Sequence, residues 1–103
     1  MPIQNRIAEF QKDMQKWRHY FHEFPELAYK EINTANKVVE LLKKFKVDKI
    51  ETGIGGTGVV ATLKNGNGKS VGLRADMDAL PIKEENNKHY CSKNKGVMHA
   101  CGH

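Results

Sequence analysis

The residues able to do chemistry gather at two places in this 103-residue sequence. One is the closing run MHACGH, in which Cys101 and His103 stand two residues apart with Gly102 between them and His99 just upstream. A cysteine thiolate and a neutral imidazole are common ligands of zinc and related divalent ions. At a spacing of two they reach one ion, or two adjacent ions, if the backbone is extended or tightly looped. Gly102 removes a side chain that would crowd the approach. A Cys-x-His pair is nonetheless only two of the three or four ligands a metal site needs, and the same residues also suit a frayed terminus. The other place is RADMDALP, where Asp76 and Asp78 flank a single residue at the end of an apolar stretch. In an extended chain residues i and i+2 point to the same side, so the two carboxylates repel unless a positive group lies between them. A metal ion, Arg74 or a histidine can supply that charge. A polar loop with Asp as a turn or helix cap is the plain alternative.

The other polar residues carry weaker signals. His19 and His22, three apart in the first helical stretch, suit packing or the surface better than metal without a third ligand. His89 sits in a polar loop with no visible partner. Cys91, beside Tyr90, is a structural residue or a free thiol. GIGGTG fits neither glycine-rich phosphate-binding pattern, because a β-type run follows it and no Lys-Ser/Thr stands at the required spacing; a turn between strands is expected there.

The elements that must position these residues follow from periodicity. Ile7, Phe10, Met14, Trp17 and Phe21 recur at three and four, which predicts an amphipathic helix running to about Glu23 and ending before Pro25. A second helix is expected from about Tyr29 to Phe45, burying Ile32, Ala35, Val38, Val39, Leu42 and Phe45, with Lys43, Lys44 and Lys46 at the negative end of its dipole. KIETGI predicts a short strand, VVATLKN a second and SVGLRAD a third. Because NGNGK is a strong turn signal, a hairpin of Gly58–Asn65 with Ser70–Asp76 is expected. Beyond Asp78 the pattern predicts loop with short strand or helix pieces. The fold class is α/β: two amino-terminal helices, a short strand and a β-hairpin, continuing into a larger sheet with helices on both faces.

The formal charge is +5. Its lysines are scattered and form no block, so a solvated surface is expected rather than a nucleic-acid face. No apolar run approaches a membrane span, the first ten residues hold no signal-type apolar core, and two cysteines are too few for a disulfide scaffold. A cytoplasmic chain with neither membrane nor nucleic-acid partners is expected.

Four stretches in order, WRHYFHEFPELAYKEINTA, GIGGTGVVATL, GLRADMDALPIKEE and GVMHACGH, resemble the amino-terminal part of metal-dependent amidohydrolases of the hippurate hydrolase, N-acyl-amino-acid amidohydrolase and indoleacetyl-amino-acid hydrolase type, within the aminoacylase-like metallopeptidases. The resemblance covers nearly the whole chain. It implies that residues 1–103 are the amino-terminal, incomplete part of a metallopeptidase-like catalytic domain, with the lid domain absent. It implies two divalent ions per intact site (zinc, manganese, cobalt or nickel), with Cys101 and His103 as metal ligands and Asp76 and Asp78 as residues supporting the centre; His99, which by its position could share an extended face with them, is better read as supporting a ligand or the loop. His22 to Glu26 matches an H-x-x-P-E element of structural, entry-loop character. Cys91 departs from the pattern, which usually has a small residue there. The implied reaction is hydrolysis of the amide of an N-acyl amino acid by metal-activated water, in enzymes that are often homo-oligomers. The general-base glutamate and the remaining ligands are expected beyond residue 103, so no catalytic base is assigned here and the 103-residue chain is expected to be inactive alone, with marginal stability or a tendency to associate. The rival readings are a small basic binding module and a stand-alone Cys/His metal or redox module.

Overall fold

The structure, a computed structural model, describes residues 5–103. Its elements are α1 (Asn5–Ala8), α2 (Gln11–Glu23), α3 (Ile32–Lys44), β1 (Lys49–Ile54) and β2 (Gly58–Thr62). No described helix is long and apolar enough to cross a membrane.

The expected first helix is present but interrupted. A single turn, α1, precedes α2, and the part expected before Asn5 lies outside the described residues. Along its apolar stripe, Ile7, Phe10 and Met14 stay exposed. Trp17 makes the packing contact, meeting Phe45 edge to face with ring centroids 5.2 Å apart. At the other end the Phe24 N–H donates to Tyr20 O, and Pro25, fully buried, stops the helix by lacking a donor.

The second long helix starts three residues later than expected. Tyr29 is left-handed, with φ 66°, and Glu31 is also non-helical, so regular structure begins at Ile32. No adjacent side chain caps it. The Glu26 carboxylate does so from a distance, accepting the Thr34 N–H at 2.6 Å, the Thr34 hydroxyl at 2.7 Å and the Asn33 N–H at 3.3 Å. These are the unpaired donors of a helix start, and a negative charge there suits the dipole. The buried face is rotated from the expected one. Thr34 and Leu41 are the buried residues, Ala35, Val38, Val39 and Leu42 flank them half-buried, and Ile32 and Phe45 are exposed. Lys43 and Lys44 occupy the last turn as anticipated.

The strands depart most from expectation. β1 and β2 form the antiparallel hairpin, with Lys49 opposite Thr62, Ile50 opposite Ala61, Glu51 opposite Val60 and Ile54 opposite Gly58. The GIGGTG turn joins them, with Gly55 at φ 62° and Gly56 at φ 109°, and a Cβ at Gly58 would run into the Ile54 carbonyl oxygen. The expected hairpin of Gly58–Asn65 with Ser70–Asp76 does not form, and Ser70–Asp76 belongs to no strand. A strand is held by cross-strand pairs and by cover on its faces. No described element covers this segment, where Val71 is 89% and Leu73 97% exposed.

Beyond Asp78 the chain folds back on the end of α2. Ala79 N–H donates to Glu26 O at 2.8 Å, Lys93 N–H to Glu23 O at 2.8 Å, and the Asn94 side chain to Pro25 O at 3.0 Å. Leu80 and Met98 exchange both backbone hydrogen bonds, at 2.9 and 3.0 Å, as a single antiparallel bridge. The core is accordingly small: Pro25, Leu41, Ala79 and Val97, with Glu31 and Thr34 at its polar side. The accessible surface of 8737 Å² exceeds the about 5,900 Å² of a tightly folded monomer of this mass, and the radius of gyration of 15.6 Å exceeds the expected about 13 Å. Uncovered apolar side chains run along the whole chain, from Ile7, Phe10 and Met14 to Val71 and Leu73.

Candidate metal-ligand site

The Leu80–Met98 bridge delivers the closing run to the surface. Val97 is buried, Met98 and His99 are half-buried, and Cys101 and His103 are exposed. Gly102, at φ 87°, turns the backbone so that the two flanking side chains meet, Cys101 Sγ lying 2.9 Å from His103 Nδ1. This is a hydrogen-bond contact. A sulfur and an imidazole nitrogen on one tetrahedral zinc ion stand about 3.6 Å apart, from bond lengths of about 2.3 and 2.0 Å. Both side chains are exposed, so opening them by about 0.7 Å meets no packed neighbour. The donor set thus fits one corner of a divalent-ion site. Among the described residues no group of three or more His, Cys, Asp or Glu side chains converges to complete it.

The two aspartates take different surroundings. Asp76 is exposed and accepts a 2.7 Å hydrogen bond from Arg74, one of the positive groups the D-x-D spacing left open, on Asp76 rather than between the two carboxylates. Asp76 and Asp78 line an open cleft of about 330 Å³ with Tyr29, Glu31, Thr57 and Arg74, and neither Cys101 nor His103 lines it. Deep in its wall, Glu31 is 7% exposed; one oxygen accepts from the Thr57 hydroxyl at 2.6 Å and the other is buried with no partner among the described residues. Asp78 acts on His99 through its charge. Burial pushes the His99 imidazole below its ordinary value, the nearby His22 pushes it the same way, and Asp78 opposes both. His99 Nε2 is buried with no hydrogen-bond partner among the described residues.

One interaction had no signal in residue spacing. His22 Nε2 donates to Glu84 Oε2 at 2.9 Å, across 62 positions of sequence, with side chains 12% and 5% exposed. Glu84 Oε1 accepts the Ser92 N–H at 2.6 Å, and the Asn86 side-chain amide donates to Oε2 at 3.1 Å. Burial pushes the Glu84 carboxyl up, but the Ser92, His22 and Asn86 hydrogen bonds together outweigh it and hold the group at about 2. His22 is thus a structural tie, as its H-x-x-P-E setting suggested, with a partner that only the folded chain reveals. The remaining histidines pack: His19 stacks on Tyr90 at 3.8 Å, and His89 meets both rings edge-on. Cys91 is a half-buried free thiol, its Sγ 3.0 Å from Asn86 O.

Residues 72–103 match the model of peptidase family M20/M25/M40. Over 98 residues the chain is 52% identical to the hippurate hydrolase of Campylobacter jejuni, covering 94% of this chain and 25% of that protein. It is 47% identical over 103 residues to thermostable carboxypeptidase 1 of Saccharolobus solfataricus, covering 98% of this chain and 26% of the relative. Among solved structures it superposes with a TM-score of 0.85 and 37% identity on the YXEP protein of Bacillus subtilis, a dinuclear metal-binding peptidase of the M20 family, over 92% of this chain and 27% of that one. The chain spans about a quarter of the length of these relatives. The motif order, the shared fold and the match over the segment that carries RADMDALP and MHACGH make the chain a member of peptidase family M20/M25/M40.

Proposed function

We propose that this chain is the amino-terminal, ligand-bearing part of a two-metal amidohydrolase that cleaves the amide bond of N-acyl amino acids. The observation that carries the proposal is the meeting of Cys101 Sγ and His103 Nδ1 on an exposed turn inside the family-matched segment. Hippurate hydrolase and carboxypeptidase, as named, share a substrate feature: an amide nitrogen borne by an amino acid with a free carboxylate. A divalent ion bound at such a site supplies a Lewis-acid charge that brings the pKa of a bound water toward neutrality. The chain's own part is to hold that charge through Cys101 and His103, with His99 and Asp78 behind them. No glutamate lies within this turn to take the proton, so the chain by itself is expected to be inactive.

Cobalt binding tests the ligand assignment. Titrated with Co²⁺, the chain should develop a thiolate-to-cobalt absorption band that Cys101→Ser abolishes and Cys91→Ser leaves intact. A spectrum without that band removes the assignment. A second measurement tests inactivity: hippurate hydrolysis by the purified chain with Co²⁺, Mn²⁺ or Zn²⁺ should stay at the buffer rate. Turnover that is lost in Cys101→Ser would overturn it.

A further inference from the structure

We propose that Glu84 is a positioning residue for the Cys101–His103 pair, acting through His22 and Ser92. The proposal rests on the metal-ligand assignment above and extends it to a residue with no ligand role. The geometry is a continuous set of short contacts. The Glu84 carboxylate, 5% exposed, is fixed on one side by His22 of α2 at 2.9 Å. On the other side it accepts the Ser92 N–H at 2.6 Å. The Ser92 hydroxyl in turn donates to Val97 O at 2.6 Å. Val97 is buried, and the next residue, Met98, is locked to Leu80 by both of its backbone groups. The chain then has only His99 and Ala100 before Cys101.

This matters because, among the described residues, the closing run is held to the rest of the chain by hydrogen bonds only at Val97 and Met98. Cys101 and His103 are exposed, and among the described residues the hydrogen bond between them is the only side-chain hydrogen bond either makes. Their placement therefore depends on where the Val97–Met98 backbone is anchored. That anchor reaches the end of α2 through Glu84 and, beside it, through the Lys93 N–H on Glu23 O and the Asn94 side chain on Pro25 O; Glu84 is the one tie that bonds directly to Ser92, whose hydroxyl holds Val97 O. The carboxylate suits the task, because an ionised group accepts stronger hydrogen bonds than a neutral one and can serve His22, Asn86 and Ser92 together. Residues behind metal ligands typically alter affinity by about 10–100-fold when removed. Glu84 lies further back than a direct ligand partner, so the low end, about tenfold, is expected.

The test compares the full chain with Glu84→Ala, Glu84→Gln and Thr34→Ala. Thr34→Ala loosens the start of α3 away from this relay and serves as the control for lost stability. In the Co²⁺ titration, Glu84→Ala should weaken binding about tenfold. Glu84→Gln, which keeps an oxygen for the Ser92 N–H, should recover part of the loss, and Thr34→Ala should leave affinity unchanged. Equal weakening by Glu84→Ala and Thr34→Ala, or none by either, overturns the positioning role. A metal-free readout separates this proposal from the ligand assignment. Hydrogen exchange at the Met98 amide should quicken in Glu84→Ala while the Phe45 amide, at the end of α3, keeps its protection. If the wild-type chain shows no cobalt band, the ligand assignment fails and positioning for metal fails with it. If the band is present and Met98 exchange is unchanged in Glu84→Ala, the ligand assignment stands and the role of Glu84 is refuted.

Discussion

Replacing Glu84 with glutamine should make the chain less stable at neutral pH and remove much of its acid sensitivity. The wild-type carboxyl is held at about 2, against an ordinary value of 4.5. A carboxyl lowered on folding adds stability above its unfolded value and loses that contribution as pH falls through the folded one. The difference corresponds to roughly 3 kcal/mol at pH 7. Coupling to His22 and access of solvent at the rim of the pair reduce this to about 2–3 kcal/mol. Glu84→Gln keeps an acceptor for the Ser92 N–H but leaves His22 Nε2 facing a neutral amide. The gap between wild type and variant should therefore be about 2–3 kcal/mol at pH 7 and shrink steadily between pH 4.5 and about 2. Urea unfolding followed by Trp17 fluorescence measures it, because Trp17 is the only tryptophan and packs on Phe45. A gap that stays constant across that range, or one under about 0.5 kcal/mol at pH 7, would refute the account.

Three further outcomes follow from the packing. Glu26→Ala removes the acceptor of two backbone donors and of the buried Thr34 hydroxyl, and should cost about 1–3 kcal/mol with loss of helical signal, read by circular dichroism during urea unfolding. Leu41→Ala empties the centre of the small core and should cost about 2–3 kcal/mol, near the low end for such changes because a loosely covered site collapses easily; the same unfolding experiment measures it. Leu73→Lys replaces a side chain that touches little and should change stability by less than about 0.5 kcal/mol. It should, however, reduce concentration-dependent association in sedimentation velocity, since an uncovered apolar strand-like segment invites pairing.

Where a local pattern and its surroundings agreed, the elements formed as the sequence implied. KIETGI is β1, GIGGTG is the turn that follows, and the apolar repeat from Ile32 to Leu42 lies within α3. Where a partner was required, sequence was insufficient. VVATLKN and SVGLRAD both have strand character, but β2 pairs with β1 and leaves Val71 and Leu73 bare. Leu41 rather than Phe45 is buried because the face of α3 that meets β2 and the chain beyond it is set by packing, not by periodicity. The D-x-D pair signalled a need for positive charge, and Arg74 supplies it to Asp76.

By itself the sequence determined the two long helices, the first strand, the glycine turn, the two-residue spacing of Cys101 and His103, and the family likeness carried by RADMDALP and MHACGH. These depend on covalent geometry and neighbours a few residues away, which any stretch of chain carries with it. Only the tertiary structure decided that Cys101 and His103 face each other, that Glu26 caps α3 from eight residues before Thr34, and that Glu84 reaches His22 across 62 positions. The first depends on the left-handed backbone that Gly102 adopts, the other two on which surfaces lie against one another, and an ionised carboxylate such as Glu84 tolerates burial only where the fold brings donors to it.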